Sequence, residues 1–265
     1  MHTNQANIHP TAIVSPESTI GNGVSIGAFA IVEKDTVIGD GTIIDSHAII
    51  REGARIGKDC HIHPGAVIAG IPQDLKFKGE KTEVHIGDRC NIREYVTINR
   101  GTASKGKTVI GNDCLIMAYS HVAHDCTLGE HVIIGNSTQI AGEVVIEDYA
   151  ILSSTVLVHQ FVRIAGHCMI QGGSRIGKDI PPYSLIGRDP ASYCGINIVG
   201  LRRRHFTDKQ IFDISETYRI IYSQGLNTSQ ALKVIEERLT DSPEVSTIVR
   251  FIRSTERGIV RGTVD

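Results

Sequence analysis

His121-Val122-Ala123-His124-Asp125 puts two imidazoles and a carboxylate within five residues, the densest polar constellation in the chain. An imidazole titrates near neutral pH, so it can take a proton from a hydroxyl and pass it to a leaving group. Gly142 stands 18 residues after His124, and Gln160 a further 18 on, with His159 beside it. An imidazole, a glycine whose N–H can approach a ligand, and a carboxamide suit general-base catalysis with an oxyanion donor. The same histidines leave a second chemistry open, because His121, His124 and His159 could together hold zinc. Two histidines three apart on an extended segment point in different directions, which weighs against convergence on one ion. Two more polar clusters accompany these. One is Gln73-Asp74-Leu75-Lys76. The other runs from Asn197 to His205 and includes Arg202, Arg203 and Arg204. Three consecutive arginines commonly form a solvated helix face, but beside a nucleotide or a phosphopantetheine they become phosphate clamps.

The elements that position these residues follow from a period of six. Steps of six from Ile8 to Ile176 meet Ile, Val or Leu at 26 of 29 positions; the exceptions are Asp74, Glu80 and Ser104. The residue two places before each aliphatic is small or β-branched, as at Ala12, Ala30, Thr42, Ala54 and Ala66. Such a period marks a hexapeptide solenoid. Three hexads close one triangular coil of 18 residues, and about ten coils stack as parallel strands. The aliphatic points inward, the small residue fits a narrow corner, and each coil buries its inner face against its neighbours. His124, Gly142 and Gln160 then form a column on the outside. The interior is filled, so a substrate must bind between the prism and a second surface: an ejected loop, a cap or another copy. This geometry favours a cyclic homo-oligomer.

The exceptions mark two loops ejected from the prism, near 69–83 and 100–108. Cys60, Cys90, Cys114, Cys126 and Cys168 all occupy the small corner position, and no C-x-x-C occurs, so they read as buried thiols. The period stops at Asp179-Ile180-Pro181-Pro182. Beyond it, Thr207-x-x-Gln210 opens a helix running to Gln224 with Gly225 after it. Asn227-x-x-Gln230 opens a second to about Leu239, and Ser242-Pro243 a third ending near Gly258. The expected domains are a solenoid over 1–187 and a helical domain over 188–265. A net charge of −2 gives no nucleic-acid footprint. No 18-residue apolar run or signal peptide is evident, so no transmembrane segment is expected and the cytoplasm is the expected compartment.

The motifs IPQDLKFKGE (71–80), REYVTINRGT (93–102), HVAHDCTLG (121–129), VHQF (158–161), DIPPY (179–183) and GINIVGLRRRHF (195–206) are shared with one family. Over nearly its whole length the chain resembles the UDP-N-acetylglucosamine 3-O-acyltransferases, which open lipid A biosynthesis. The resemblance implies a left-handed parallel β-helix followed by a small α-helical domain, and a homotrimer with its sites between subunits. It implies transfer of a 3-hydroxyacyl chain from acyl carrier protein to the sugar 3-hydroxyl with no bound cofactor. His124 would be the base, Asp125 its support, and Gly142 the oxyanion donor. Asp74, His121, His159 and Gln160 would position sugar and acyl groups, with Gln73 and Lys76 nearby. Asn197, Arg203 and Arg204 would contact the nucleotide or the carrier's prosthetic group. Met169 and Gly172 would lie by the end of the acyl groove. Two positions depart from the family pattern. Glu143 stands where His is usual, and Val199 where Glu is usual; both bear on the acceptor. The alternatives are the same transfer to a 3-amino sugar nucleotide, or a zinc-dependent solenoid like the γ-type carbonic anhydrases.

Overall fold

The computed structural model describes residues 6–239 and 242–262. Residues 1–5, at the polar start of the chain, lie outside that set.

The chain winds into a three-sided, left-handed parallel β-helix. Most strands are only two residues long, such as Ile133–Ile134 and Ile151–Leu152. In each, the second residue is the inward aliphatic and the first faces out. Among the described residues three faces result, with 11, 9 and 8 strands, beginning at Asn7–Ile8, Ile13–Val14 and Thr19–Ile20 respectively. Partners lie one coil apart, so Ile134 pairs with Ile116 below and Leu152 above. The aliphatic column and the corner residues form one buried cluster, which includes the five corner cysteines as free thiols. Ile8, at the first described coil, is 42% exposed, and among the described residues its strand pairs on one side only.

The corners carry the strain of this winding. The second turn residue adopts left-handed φ at, for example, Tyr95, Tyr119, Asp125, His131, Glu143, Tyr149 and His167. For an L-residue this costs roughly 1–2 kcal/mol. Stacking offsets part of it. His131, Tyr149 and His167 lie over one another along a single edge, with ring centroids 4.6 and 5.0 Å apart.

Both ejected loops are present, and both are shorter than the sequence suggests. The strands Val67–Gly70 and Glu83–Ile86 bound the first, leaving 71–82. Thr97–Asn99 and Lys107–Ile110 bound the second, leaving 100–106. Extra ladder pairs such as Glu83 with Lys107 hold the loop bases in the sheet.

Beyond the prism, strand Ser184–Gly187 continues the first face, and Ser192–Ile196 turns back antiparallel to it. The latter is a strand in a stretch expected to be helical. Among the described residues four helices follow: α1 (Ile198–Arg203), α2 (Asp208–Ser223), α3 (Thr228–Arg238) and α4 (Pro243–Arg253). The capping boxes at Thr207 and Asn227 form as the sequence indicates. Helix α4 ends five residues short of Gly258. There the chain leaves the helix so that Val260 N–H can donate to Asp179 O and close the end of the prism. The helices bury their own cluster around Ile214, Tyr218, Ile235 and Ile248.

Candidate active site

One corner gathers the chemistry. Where the chain passes from the second face to the third, successive coils place His124, Gly142 and Gln160. The pairing of His121 with Gln139, and of Gln139 with Leu157, fixes that column. Both ejected loops leave from the same corner on the coils just before it.

His124 is buried, and its ring is held on two sides. Its Nδ1 lies 2.8 Å from Asp125 Oδ2. An ionised carboxylate only accepts, so Nδ1 carries the proton and Nε2 presents its lone pair. Nε2 also lies 3.9 Å from Asp74 Oδ2, on the first loop. Gly142 crosses the imidazole so closely that a Cβ there would sit 2.6 Å from both Nε2 and Cε1. Only glycine leaves the ring in place. At another corner the equivalent N–H groups of Asn22, Lys58, Asp88 and Glu130 donate to a side-chain oxygen of the next coil. Among the described residues, the Gly142 N–H has no such acceptor, so it is available to a ligand.

Asp125 is fully buried. Burial by itself raises its pKa, but hydrogen bonds from Thr102 and His124 and from the Thr102 and Lys105 backbone outweigh this and leave it below its usual value. The Thr102 hydroxyl donates at 2.7 Å, and the N–H groups of Thr102 and Lys105 at 3.0 and 3.2 Å. Lys105 Nζ donates to Asp125 O at 3.1 Å and stands 3.9 Å from Glu143 Oε2. The carboxylate at 143 thus has a cationic neighbour on the second loop. Periodicity could not find Thr102 and Lys105, because the loop has no period. The available signal was the failure of the hexad at Ser104, one coil before His124.

The linkage has a testable sign. A carboxyl whose folded-state pKa is depressed adds stability above its unfolded value of about 3.9, and that stability is lost as pH falls through the folded value. Thr102→Val removes a hydrogen bond to a charge, worth about 1.5–3 kcal/mol, and brings the folded pKa of Asp125 closer to the unfolded one. Acid unfolding followed by circular dichroism should therefore begin at higher pH in the variant. A midpoint equal to or below wild type would show that Thr102 does not hold the charge.

The other expected residues divide among separate places. His121 Nδ1 lies 2.7 Å from Thr97 Oγ1; burial lowers the His121 pKa and favours the neutral ring. His121 and His159 line a shallow groove of about 450 Å³ along the second face, with Leu157 and Arg175. His159 Nδ1 lies 3.0 Å from the Gln160 carbonyl oxygen and 3.3 Å from Arg257 Nη2. Gln73 and Lys76 are exposed on the first loop. His121, His124 and His159 do not bring ligand atoms together within one chain. Met169 faces out from the first face, and Gly172 lies at the corner after it, away from His124. Asn197 caps α1 through Gly200 N and donates to His167 O at 2.9 Å, on a third edge. Arg204 joins it there, stacked 5.1 Å over Tyr149, with Nη1 buried and unpaired among the described residues. Burial lowers its pKa. Arg203 and Val199 are exposed.

Residues 35–70 and 107–142 match the bacterial transferase hexapeptide family of six repeats, which makes the prism that of a hexapeptide-repeat transferase. Residues 179–260 match the family described as Udp N-acetylglucosamine O-acyltransferase, domain 2. The chain is 50% identical over 254 residues to the acyl-[acyl-carrier-protein]--UDP-N-acetylglucosamine O-acyltransferase of Chlorobaculum parvum, covering 96% of each. A solved UDP-N-acetylglucosamine acyltransferase from Bacteroides fragilis superposes with a TM-score of 0.94 at 54% identity, over 96% of this chain and 99% of that one. The corresponding enzyme of Francisella novicida gives 0.93 at 40% identity, over 96% and 94%. The chain belongs to the UDP-N-acetylglucosamine O-acyltransferase family.

Proposed function

We propose that this chain transfers a 3-hydroxyacyl group from acyl carrier protein to the 3-hydroxyl of UDP-N-acetylglucosamine. The observation that carries the mechanism is Gly142 lying across the His124 ring, with an open N–H beside a base whose tautomer Asp125 sets. His124 Nε2 accepts the proton of the sugar hydroxyl as its oxygen attacks the thioester carbonyl. The new C–O bond leaves a tetrahedral oxyanion, which the Gly142 N–H meets. Collapse breaks the C–S bond, and the imidazolium returns its proton to the departing thiolate. The products are the ester and the free thiol of the carrier, so no cofactor is required. Asp74, close to Nε2, would orient the acceptor, and Arg204 Nη1 would meet a phosphate. The groove past His121 and His159 would take part of the acyl chain.

The functional residues of one chain lie on separate edges of a rigid prism, so a single copy does not assemble them. A ring of three prisms, each presenting one edge to the next, would complete three equal sites. On this reading the cytoplasm remains the expected compartment. A hydroxyl acceptor explains the elaborate support of His124, since a neutral amine needs less help from a base.

Mass spectrometry of the product from a mixed acyl-carrier pool tests reaction and chain length together. With both acceptors present, the expected product is the ester. A kcat/KM favouring the 3-amino sugar by more than about tenfold, or about 1.4 kcal/mol, would overturn the acceptor assignment. Absence of any acyl sugar nucleotide would overturn the reading itself.

A further inference from the structure

On the first face, remote from the His124 corner, three successive coils bring Asp45, His61, His63 and Glu94 together. Asp45 follows strand Ile43–Ile44, His61 and His63 flank Ile62 on the next coil, and Glu94 lies on the coil after. Asp45 Oδ2 lies 2.8 Å from His61 Nε2 and 3.6 Å from His63 Nδ1, and Glu94 Oε1 lies 3.7 Å from His63 Nδ1. The two imidazoles stack with centroids 3.8 Å apart.

His63 is the anomaly. Its side chain is only 13% exposed, yet Nδ1 is beyond hydrogen-bond reach of both carboxylates, and Nε2 is buried without a partner among the described residues. A buried imidazole nitrogen with no partner is costly, while Nδ1 is left open to a ligand. Nδ1 faces carboxylate oxygens of Asp45 and Glu94, and a cation bound there would leave the proton on Nε2. Arg93 donates to both oxygens of Glu94 at 2.9 and 3.0 Å, so two carboxylates and one guanidinium leave the cluster with one net negative charge.

We propose that Asp45, His61 and His63 form a binding site for a divalent transition metal such as zinc, with Glu94 beside it. Bonds of about 2.0–2.2 Å in a tetrahedral site set ligand atoms about 3.3–3.6 Å apart. The Asp45–His63 distance already lies near that range, and the Asp45–His61 pair needs to open by under 1 Å. Mixed imidazole and carboxylate donors suit zinc over calcium or magnesium. An ion here ties together two coils, the second of which ejects the loop carrying Asp74. Its role is to brace the scaffold, and the site stands independently of the acyl-transfer reading.

The test uses the whole protein, stripped with a chelator and titrated with Zn2+ and separately with Co2+. We expect uptake of about one ion per chain, visible absorption typical of four-coordinate cobalt, and a melting temperature that rises with added Zn2+. Asp45→Asn and His61→Gln, both at partly exposed positions, should each weaken binding at least about tenfold and abolish the zinc-dependent rise. No uptake by the wild type would overturn the proposal. So would equal affinity in wild type and both variants, since the ion would then sit elsewhere.

Discussion

Replacing His124 with alanine is expected to lower kcat by about 10²–10⁴-fold, the range for loss of a general base, while the melting temperature stays close to wild type. The ring lies in the turn outside the aliphatic column, so its removal leaves no cavity in the core. Asp125 keeps its hydrogen bonds from Thr102 and Lys105 and remains charged in its buried place. The variant separates catalysis from structure more cleanly than Asp125→Ala, which would leave Thr102 and Lys105 unpaired. A His124→Ala protein with more than about a tenth of the wild-type rate falls outside the general-base range and would remove His124 from the mechanism.

The opposite pattern is expected for Ile134→Asp. Ile134 has no exposed surface and packs between Ile116 and Leu152 in adjacent coils. A carboxylate there finds no donor, and the penalty is several kcal/mol, a large share of the roughly 5–15 kcal/mol that holds a domain together. The protein should be insoluble, or should melt about 10 °C or more below wild type at a shift of about 2–4 °C per kcal/mol. Ile134→Val removes one methylene and should cost only about 0.5–1.5 kcal/mol. If Ile134→Asp melted as the valine variant does, the residue could not face the interior.

The period made most of this fold legible. Each hexad puts its aliphatic inward, so Ile134 and Val122 could be placed from the sequence, and His124, Gly142 and Gln160 could be stacked by counting 18 residues. The capping boxes at Thr207 and Asn227 gave helix starts to the residue because a cap is a local arrangement. Helix α4 ended early because Asp179, a distant residue, recruits the chain that follows it. Thr102 and Lys105 escaped for a related reason: an irregular loop folds back according to the polar groups it meets, here a buried carboxylate. Met169 and Gly172 were associated with the site by resemblance alone, Asn197 and Arg204 by their polar cluster as well. Within one chain they occupy other faces and edges, a separation that the same count of 18 already contains. The Asp45–His61–His63 cluster was also within reach of that count, since 18 residues separate Asp45 from His63.

Each coil of the prism touches only the coil before and the coil after, and that has a consequence for cooperativity. Stability in such a stack is a sum over rungs and the seams between them, so opening can start at an end without melting the middle. The first rung, with Ile8 half out of the core, is where hydrogen exchange should be fastest. The rungs that carry Asp125 and Gly142 lie well inside the stack. Fraying that begins at the N-terminal end must undo several seams before it reaches the base, so the length of the solenoid itself keeps the reacting groups rigid.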